Sequence, residues 1–357
     1  MGVKSVTTYA LPHALVRALY ATILPTATWQ DLVQAQDMDA ILAILSKTAY
    51  QPYLEIEREL LTPRRVVYQT RCRLADLYDK IIDVVAEPGR QLLLWLWRLY
   101  EVDNIKAVLR GVEAGASWKE VLYLLSPMAR HATLTKDSLE KMVQTEDVTR
   151  AVELTSDTPY YDTLAHALER YQAEKSLFPL EVALDLEYSR RLWQSVDQLA
   201  GLDHEQALRI VGSILDKDNL LWAIRYRVYH NLSEQEIINY TLPFGYQVHD
   251  EDIRAIATGS NITQVVKRIY PDLEGVEAIS EDGTGLEKLE RALQHRVVQL
   301  CHAAFLGYPF HIGIPIAYLI LNEYEIEGLT VLVEAKTSHL PLDIFAPMLV
   351  VHTATPS

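Results

Sequence analysis

The feature that most constrains the fold of this chain is an internal repeat of about 110 residues. Three tyrosines, Tyr50, Tyr160 and Tyr270, follow one another at intervals of 110 residues. The first two stand two positions after a threonine, Thr48 and Thr158. Solenoid repeats have periods of roughly 20 to 50 residues, so this period is far too long for a solenoid. A segment of this size can bury a core of its own, and the repeat therefore predicts three similar units.

A second marker follows each tyrosine in the same order. It begins with an acidic residue, Asp103 in the first segment and Asp218 in the second, 53 and 58 residues after the tyrosine. An asparagine comes next, and an arginine stands seven positions after the acid. The third segment begins its marker with Glu327 but has Gly328 and Glu334 where the amide and the arginine are expected. The ordered set of markers, rather than any one of them, supports the repeat.

The hydrophobic pattern is helical along nearly the whole chain. Two capping boxes, which begin at Ser117 and Ser233, carry a glutamate three residues later and predict helix starts. Alternation with period two is scarce, so no sheet of any size is expected. Apolar residues recur at helical spacing over residues 15–45, 74–109, 164–199, 207–228 and 286–304.

These patterns predict an all-α fold of three helical bundles. We place the boundaries so that the units comprise residues 1–125, 126–240 and 241–357. The acidic, glycine-containing segment 272–285 is expected to form a long exposed loop.

Charge excludes one class of partner. The chain has 33 Lys and Arg against 48 Asp and Glu, a net charge of −15. Nucleic acid is excluded as the main partner because phosphate binding needs a basic face. No direct lipid anchor is expected either, since docking on anionic lipid by charge uses basic clusters. The most apolar stretch, 299–321, is interrupted by Pro309 and Pro315, so we interpret it as two buried helical pieces that meet near Pro309.

Motifs for catalysis and for cofactor binding are missing from the sequence. It contains no phosphate-binding Gly-x4-Gly-Lys-Ser/Thr motif and no Gly-x-Ser-x-Gly nucleophile elbow. Cys301, His302 and His311 could supply metal ligands, but their surroundings are apolar and favour core packing. We therefore predict no catalytic residues, no cofactor and no metal.

The polar residues of the second marker have two interpretations each. Asp103 and Asp218 are expected to cap the helix that follows, and a direct contact with a partner is the alternative. Arg110, Arg225 and Arg227 are candidate partner-binding residues that could line a polar cavity. Pairing with nearby carboxylates is the simpler interpretation of these three arginines.

Together, the ordered markers resemble the family of V/A-type rotary ATPase C subunits, whose eukaryotic relatives are called d subunits. The resemblance spans roughly residues 8–346. The further motifs that carry it are Tyr9-Ala10 with Val16-Arg17-Ala18-Leu19, Glu181-x-x-Leu184-Asp185-x-x-Tyr188, Tyr308-Pro309-Phe310-His311-Ile312-Gly313, and Asn322-Glu323-Tyr324-Glu325-Ile326.

The resemblance implies a fold, a role and a location. The three units would form a pseudo-threefold funnel on the cytoplasmic end of the membrane proteolipid ring, and the funnel would receive the foot of the central shaft. The chain would be a non-catalytic rotor adaptor that passes torque between ATP chemistry and ion movement. A helical-repeat scaffold for another soluble partner is the alternative. An enzyme with a site assembled across the units is a third hypothesis, which the missing motifs disfavour.

Overall fold

The computed structural model describes residues 2–57, 61–274, 279–280 and 283–350. Within these segments every regular element is helical, which confirms the predicted all-α class. The predicted loop 272–285 falls partly on residues outside these segments.

The helices differ greatly in length. The first eleven are α1 (Gly2–Tyr20), α2 (Thr26–Gln34), α3 (Met38–Leu45), α4 (Gln51–Leu54), α5 (Pro63–Ile82), α6 (Gly89–Glu113), α7 (Trp118–Leu122), α8 (Lys136–Gln144), α9 (Val148–Glu153), α10 (Tyr161–Glu174) and α11 (Phe178–Asp197). The others are α12 (Gly201–Ala207), α13 (Ser213–Val228), α14 (Glu234–Asn239), α15 (Asp250–Ala257), α16 (Ile262–Ile269), α17 (Leu286–Ala304), α18 (Gly313–Thr337) and α19 (Leu342–Phe345). A π-helical segment, Leu208–Gly212, joins α12 to α13, and a 3-10 turn, Ala346–Met348, follows α19.

The chain divides into two compact units. One comprises residues 90–195, which run from the start of α6 to near the end of α11. The other comprises residues 1–89 and 196–357, and in it α18 packs against both α5 and α17. The three units predicted from the repeat, with boundaries after residues 125 and 240, stay a prediction.

Local sequence signals explain several helix ends. The backbone N–H of Ser117 donates to the Glu120 carboxylate at 2.8 Å, and that of Ser233 donates to Glu236 at the same distance. Both predicted capping boxes are therefore confirmed.

The apolar stretch 299–321 consists of two helical pieces, as predicted. Helix α17 ends at Ala304, α18 begins at Gly313, and Pro309 lies in the connection. In the part of the chain that the structure describes, no helix is long and apolar enough to cross a membrane.

Candidate functional site

The Thr-x-Tyr marker is a turn that leads each tyrosine into the interior. The hydroxyl groups of Thr48 and Thr158 each donate to the carbonyl oxygen three residues earlier, at 2.7 Å. Each hydroxyl also accepts the N–H of the following tyrosine, at 3.2 Å for Tyr50 and 3.3 Å for Tyr160. The same local bonding at equivalent positions gives the sequence repeat a structural basis.

Tyr50 is part of a fully buried polar cluster. Its hydroxyl donates to Glu325 Oε1 at 2.7 Å, and the other carboxylate oxygen of Glu325 accepts the Leu24 N–H at 2.6 Å. The Arg73 guanidinium lies over the Tyr50 ring and 3.8 Å from the Glu325 carboxylate. Burial raises the pKa of Glu325, and the nearby guanidinium opposes that rise.

Tyr160 makes the equivalent contact within residues 90–195. Its hydroxyl donates to Glu101 Oε2 at 2.6 Å. The Glu101 carboxylate also accepts the backbone N–H and the hydroxyl of Thr133, each at 2.7 Å. Three hydrogen bonds therefore replace the water that this buried acid loses.

Tyr270 faces the third cluster, which is built around Asp216. The Asp216 carboxylate accepts the N–H groups of Tyr246 and Gln247 at 2.8 and 2.6 Å. Burial raises the pKa of Asp216 to about 6, despite these hydrogen bonds. Burial and the negative charge of Asp216 together raise the pKa of Tyr270. The Arg296 guanidinium lies 5.2 Å from the centre of the Tyr270 ring.

The three buried acids occupy equivalent positions. Glu101, Asp216 and Glu325 each stand two residues before the first residue of the second marker. Each acid lies on the second long helix of one repeat and faces the tyrosine of the next repeat. Because Glu325 pairs with Tyr50, the last repeat is also joined to the first, across 275 residues of sequence. We did not identify these acids from the sequence, although their constant offset from the marker was the signal that could have revealed them.

The predicted helix-capping role of the marker aspartates is wrong. Asp103 lies in the interior of α6 and Asp218 in the interior of α13. A capping residue must precede the first turn, whereas the apolar pattern of both helices runs continuously through these positions. The Asp103 carboxylate instead lies 3.5 Å from the Lys106 ammonium nitrogen. The Asp218 carboxylate lies 2.5 Å from the Lys217 ammonium nitrogen.

The marker asparagines bind the backbone of a following segment. The Asn104 side chain accepts the N–H of Ser126 at 2.7 Å and donates to its carbonyl at 3.1 Å. Asn219 does the same with Leu242, at 2.7 and 3.0 Å. Both amides are buried, so each anchors the chain after the short helix that follows its long helix.

The third repeat lacks this amide because a tryptophan occupies its place. A Cβ atom at Gly328 would lie 2.9 Å from Cη2 of Trp29, which is closer than real contacts allow. Trp29 is itself buried, so glycine permits the close approach of α2 to α18. The departure from the marker pattern is therefore a packing feature.

The three predicted arginines have different surroundings. Arg110 donates to Glu181 and Arg225 donates to Glu290, each at 2.6 Å, at equivalent positions of the repeat. Their side chains are 60% and 39% exposed. Arg227 donates instead to the backbone carbonyl of Ile256 in α15, at 3.1 Å, and to that of Ser260 in the turn after it, at 2.7 Å. The simpler interpretation, pairing with carboxylates, describes Arg110 and Arg225; partner binding by any of the three stays a prediction.

The candidate metal ligands lie in the interior or engage protein groups. Cys301 is fully buried, and burial raises the pKa of its thiol. The His302 ring lies 3.3 Å from the Tyr20 hydroxyl, and His311 is 3% exposed. Among the described residues, no group of three or more His, Cys, Asp or Glu side chains could hold a metal ion.

Comparison with protein families decides the relationship that the repeat suggests. A family model described as "ATP synthase (C/AC39) subunit" matches residues 12–345. The chain belongs to the ATP synthase (C/AC39) subunit family. Members of this family are structural and non-catalytic, and membership confirms the prediction that the chain is not an enzyme.

Several curated relatives share this ancestry over most of their length. The chain is 24% identical over 342 residues to the A-type ATP synthase C subunit of Methanocaldococcus jannaschii, an alignment that covers 93% of this chain and 84% of that protein. It is 25% identical over 341 residues to the A-type ATP synthase C subunit of Methanothermobacter thermautotrophicus, with coverage of 92% and 84%. The A-type ATP synthase C subunit of Methanococcoides burtonii is 24% identical over 348 residues, with coverage of 96% and 94%. The chain is thus a C subunit of the A/V type, with partners in an ATP synthase complex.

Proposed function

We propose that this chain is the rotor adaptor of a V/A-type ATPase or ATP synthase. It links the central-shaft subunits to the membrane proteolipid ring and passes torque between ATP chemistry and ion transport. The observation that carries the proposal is the family match over residues 12–345, almost the full length of the chain. In this role the chain is a peripheral protein at the cytoplasmic face of the membrane.

The repeated buried clusters support a role in transmitting force. Fully hydrogen-bonded polar networks in a low-dielectric interior fix the packing of the elements that carry them. The Tyr50–Glu325 contact joins elements near the two ends of the chain, and the Tyr160–Glu101 contact fixes helices inside residues 90–195. A body that passes torque must resist internal deformation, and such clusters provide resistance at regular intervals.

The arrangement of the repeats is part of the proposal. Three units, at residues 1–125, 126–240 and 241–357, would surround a pseudo-threefold axis and leave a depression for the end of the shaft. The equivalent positions of Glu101, Asp216 and Glu325 support this arrangement, since equivalent contacts between successive repeats are what rotational symmetry requires.

The shaft contact is proposed to be polar and to involve the predicted arginines Arg110, Arg225 and Arg227. Polar, charge-assisted interfaces are typical of partners that come apart. Arg225 is a better test than Arg227, because Arg227 already donates to the backbone carbonyls of Ile256 and Ser260. We expect Arg225→Glu to weaken shaft binding with little change in melting temperature, and we expect binding of the parent to weaken as salt rises. Arg254→Glu is the matched control, since Arg254 is also exposed and paired with a carboxylate.

The proposal is tested by binding of each partner separately. Purified shaft subunits and detergent-solubilised proteolipid ring are titrated against the full chain. Saturable binding of both partners is expected. If neither binds, the adaptor role is wrong, and a scaffold for another soluble partner becomes the better account. If the shaft binds equally to the parent and Arg225→Glu, at low and high salt, the polar contact at this residue is wrong.

A further inference from the structure

Helix α1 contacts the connection between α17 and α18 through a cluster of aromatic rings and histidines. The Tyr20 ring of α1 packs on Phe305, with ring centres 4.4 Å apart. The His13 ring of α1 meets the Phe310 ring edge-on, with ring centres 5.4 Å apart. The Nδ1 atom of His302, on α17, lies 3.3 Å from the Tyr20 hydroxyl. Histidines on both sides of this contact therefore help to hold α1 in place.

A third histidine, His311, stands two residues before the start of α18. Its side chain is 3% exposed, and its Nδ1 atom has no hydrogen-bond partner among the described residues. It interacts electrostatically with Asp203 of α12 and with His13. We call His13, His302 and His311 the junction histidines.

Carboxylates are scarce around the junction histidines. Residues 1–30 and 291–322 contain no Asp or Glu. Asp203 comes from outside these segments, and it is already engaged. Its carboxylate accepts the Ile312 N–H at 2.9 Å and a hydrogen bond from the Tyr9 hydroxyl. Little negative charge is therefore at hand to balance positive charge on the histidines.

Helices α5 and α18 bring a further pair of titratable groups toward α17. The Tyr78 hydroxyl of α5 donates to the Glu323 carboxylate of α18 at 2.5 Å. Burial, and to a smaller extent the charge of Glu323, raise the pKa of Cys301, which precedes His302 in α17. Glu323 is thus engaged with a partner of its own, like Asp203.

Arg17 couples His13 to the end of α17. The guanidinium donates to His13 Nε2 at 3.3 Å, lies over the Phe305 ring and donates to the Phe305 carbonyl at 3.4 Å. A neutral imidazole can accept the bond from Arg17, whereas a protonated imidazole carries N–H donors at both nitrogens. Protonation of His13 would therefore remove this bond and place two positive charges side by side.

The surroundings favour the neutral form of all three junction histidines. Burial lowers the pKa of His302. Burial and the charge of Arg17 lower the pKa of His13. Burial also lowers the pKa of His311, and this effect outweighs the opposing influence of Asp203. Once released, each imidazole regains an ordinary pKa of about 6.5, so the contact is at full strength above about pH 6.5 and weakens as pH falls toward the lower folded values.

We propose that the junction histidines form an acid-sensitive clamp, which holds α1 on the α17–α18 connection at neutral pH and releases it when they are protonated. Release would separate the inner face of α1, with the buried residues Tyr9 and Val16, from the rest of the chain. The clamp is a response of the chain itself to acidification. It goes beyond the proposed function and does not depend on the shaft or the ring.

The test measures the protection of α1 amides against hydrogen exchange in the full chain, as pH is lowered from about 7.5 to about 5.5. Protection factors, which divide out the intrinsic exchange rate at each pH, remove the pH dependence of the exchange chemistry. Amides of α13 are the internal reference for unfolding of the same compact unit. The main variant, His13→Gln/His302→Gln/His311→Gln, replaces the junction histidines with neutral polar side chains.

Two further variants complete the design. His166→Gln/His230→Gln/His339→Gln is the matched control, because these three histidines are exposed and are not among the junction histidines. His13→Gln alone changes a half-buried residue of the junction and keeps the test valid if the main variant does not fold.

In the parent we expect α1 protection to fall about tenfold or more over this range, because each histidine that binds a proton only after release shifts the equilibrium by up to about tenfold per pH unit. Protection of α13 should fall much less. The main variant should lose most of the pH response of α1, His13→Gln alone should lose part of it, and the control should behave like the parent.

Three results would overturn the clamp. The first is α1 protection in the parent that does not change with pH. The second is an equally steep fall in the parent and in every variant of the junction that folds. The third is an equal fall in α1 and α13, since that would show unfolding of the whole unit rather than release of one helix.

Discussion

At the scale of single residues, the buried acids are held by hydrogen bonds from groups far away in sequence. Glu101 is 3% exposed and receives one of its three hydrogen bonds from Tyr160. We expect Tyr160→Phe to lower the free energy of unfolding by about 2 kcal/mol, a usual loss when a buried acceptor is deprived of a hydrogen-bond donor. Tyr161→Phe, one position along, is the control and should change stability by less than about 0.5 kcal/mol. Equal effects in chemical denaturation would contradict a specific role for the Tyr160 hydroxyl.

The two marker aspartates should differ in their contribution to stability. Asp103 is 53% exposed, and Lys106 keeps a second partner, Asp185 at 2.5 Å, when Asp103 is removed. Lys217 is 14% exposed, and Asp218→Ala removes the carboxylate at 2.5 Å from its ammonium group. We expect Asp218→Ala to cost about 1 to 2 kcal/mol and Asp103→Ala less than about 0.5 kcal/mol in thermal or chemical unfolding. Equal losses would mean that these residues act alike, as the repeat alone suggested.

Asp216 should make stability depend on pH. Its folded pKa of about 6 lies above the usual 3.8, so between these values the folded chain holds a proton that the unfolded chain releases. The resulting stabilisation is complete below about pH 4 and is lost as pH rises through about 6. We expect the advantage of the parent over Asp216→Asn, in free energy of unfolding, to be about 2 kcal/mol greater at pH 4.5 than at pH 7. A larger advantage at pH 7 would show that the folded-state pKa is lowered instead.

At the scale of helices, the sequence predicted the local structure well and the long-range contacts poorly. The capping boxes at Ser117 and Ser233 and the break at Pro309 depend on neighbours within a few residues, and each was predicted. The partners of the buried tyrosines could not be predicted, because the Tyr50–Glu325 contact joins residues 275 positions apart. The aspartates of the second marker were misassigned because one helix passes through the position where a helix start was expected.

The close approach of α2 to α18 gives a prediction at the same scale. Gly328→Ala should destabilise the chain by about 1 to 3 kcal/mol, because its Cβ would meet Cη2 of the buried Trp29. Combining it with Trp29→Leu, which removes that ring, should give a total loss smaller than the sum of the two single losses. The measurement is a double-mutant cycle in denaturant. Additive losses would show that Gly328 is not required by the close approach of the Trp29 ring.

At the scale of the whole molecule, the net charge of −15 bears on how the chain reaches a membrane. Anionic headgroups repel such a chain, so the proposed adaptor role requires docking through ring protein rather than lipid. We expect the purified chain not to sediment with protein-free anionic liposomes at moderate salt. Liposomes that contain reconstituted proteolipid ring are the positive control, and robust sedimentation with the protein-free vesicles would favour a lipid-binding role.

The central claim of the proposed adaptor role is that this chain joins the shaft subunits to the proteolipid ring. Shaft subunits are mixed with proteoliposomes that contain the proteolipid ring, with and without this chain, and the shaft that sediments is measured. We predict that the shaft is retained when the chain is present and is lost when it is omitted. Equal retention without the chain, or no retention with it, would contradict the proposal that this protein joins the shaft to the ring.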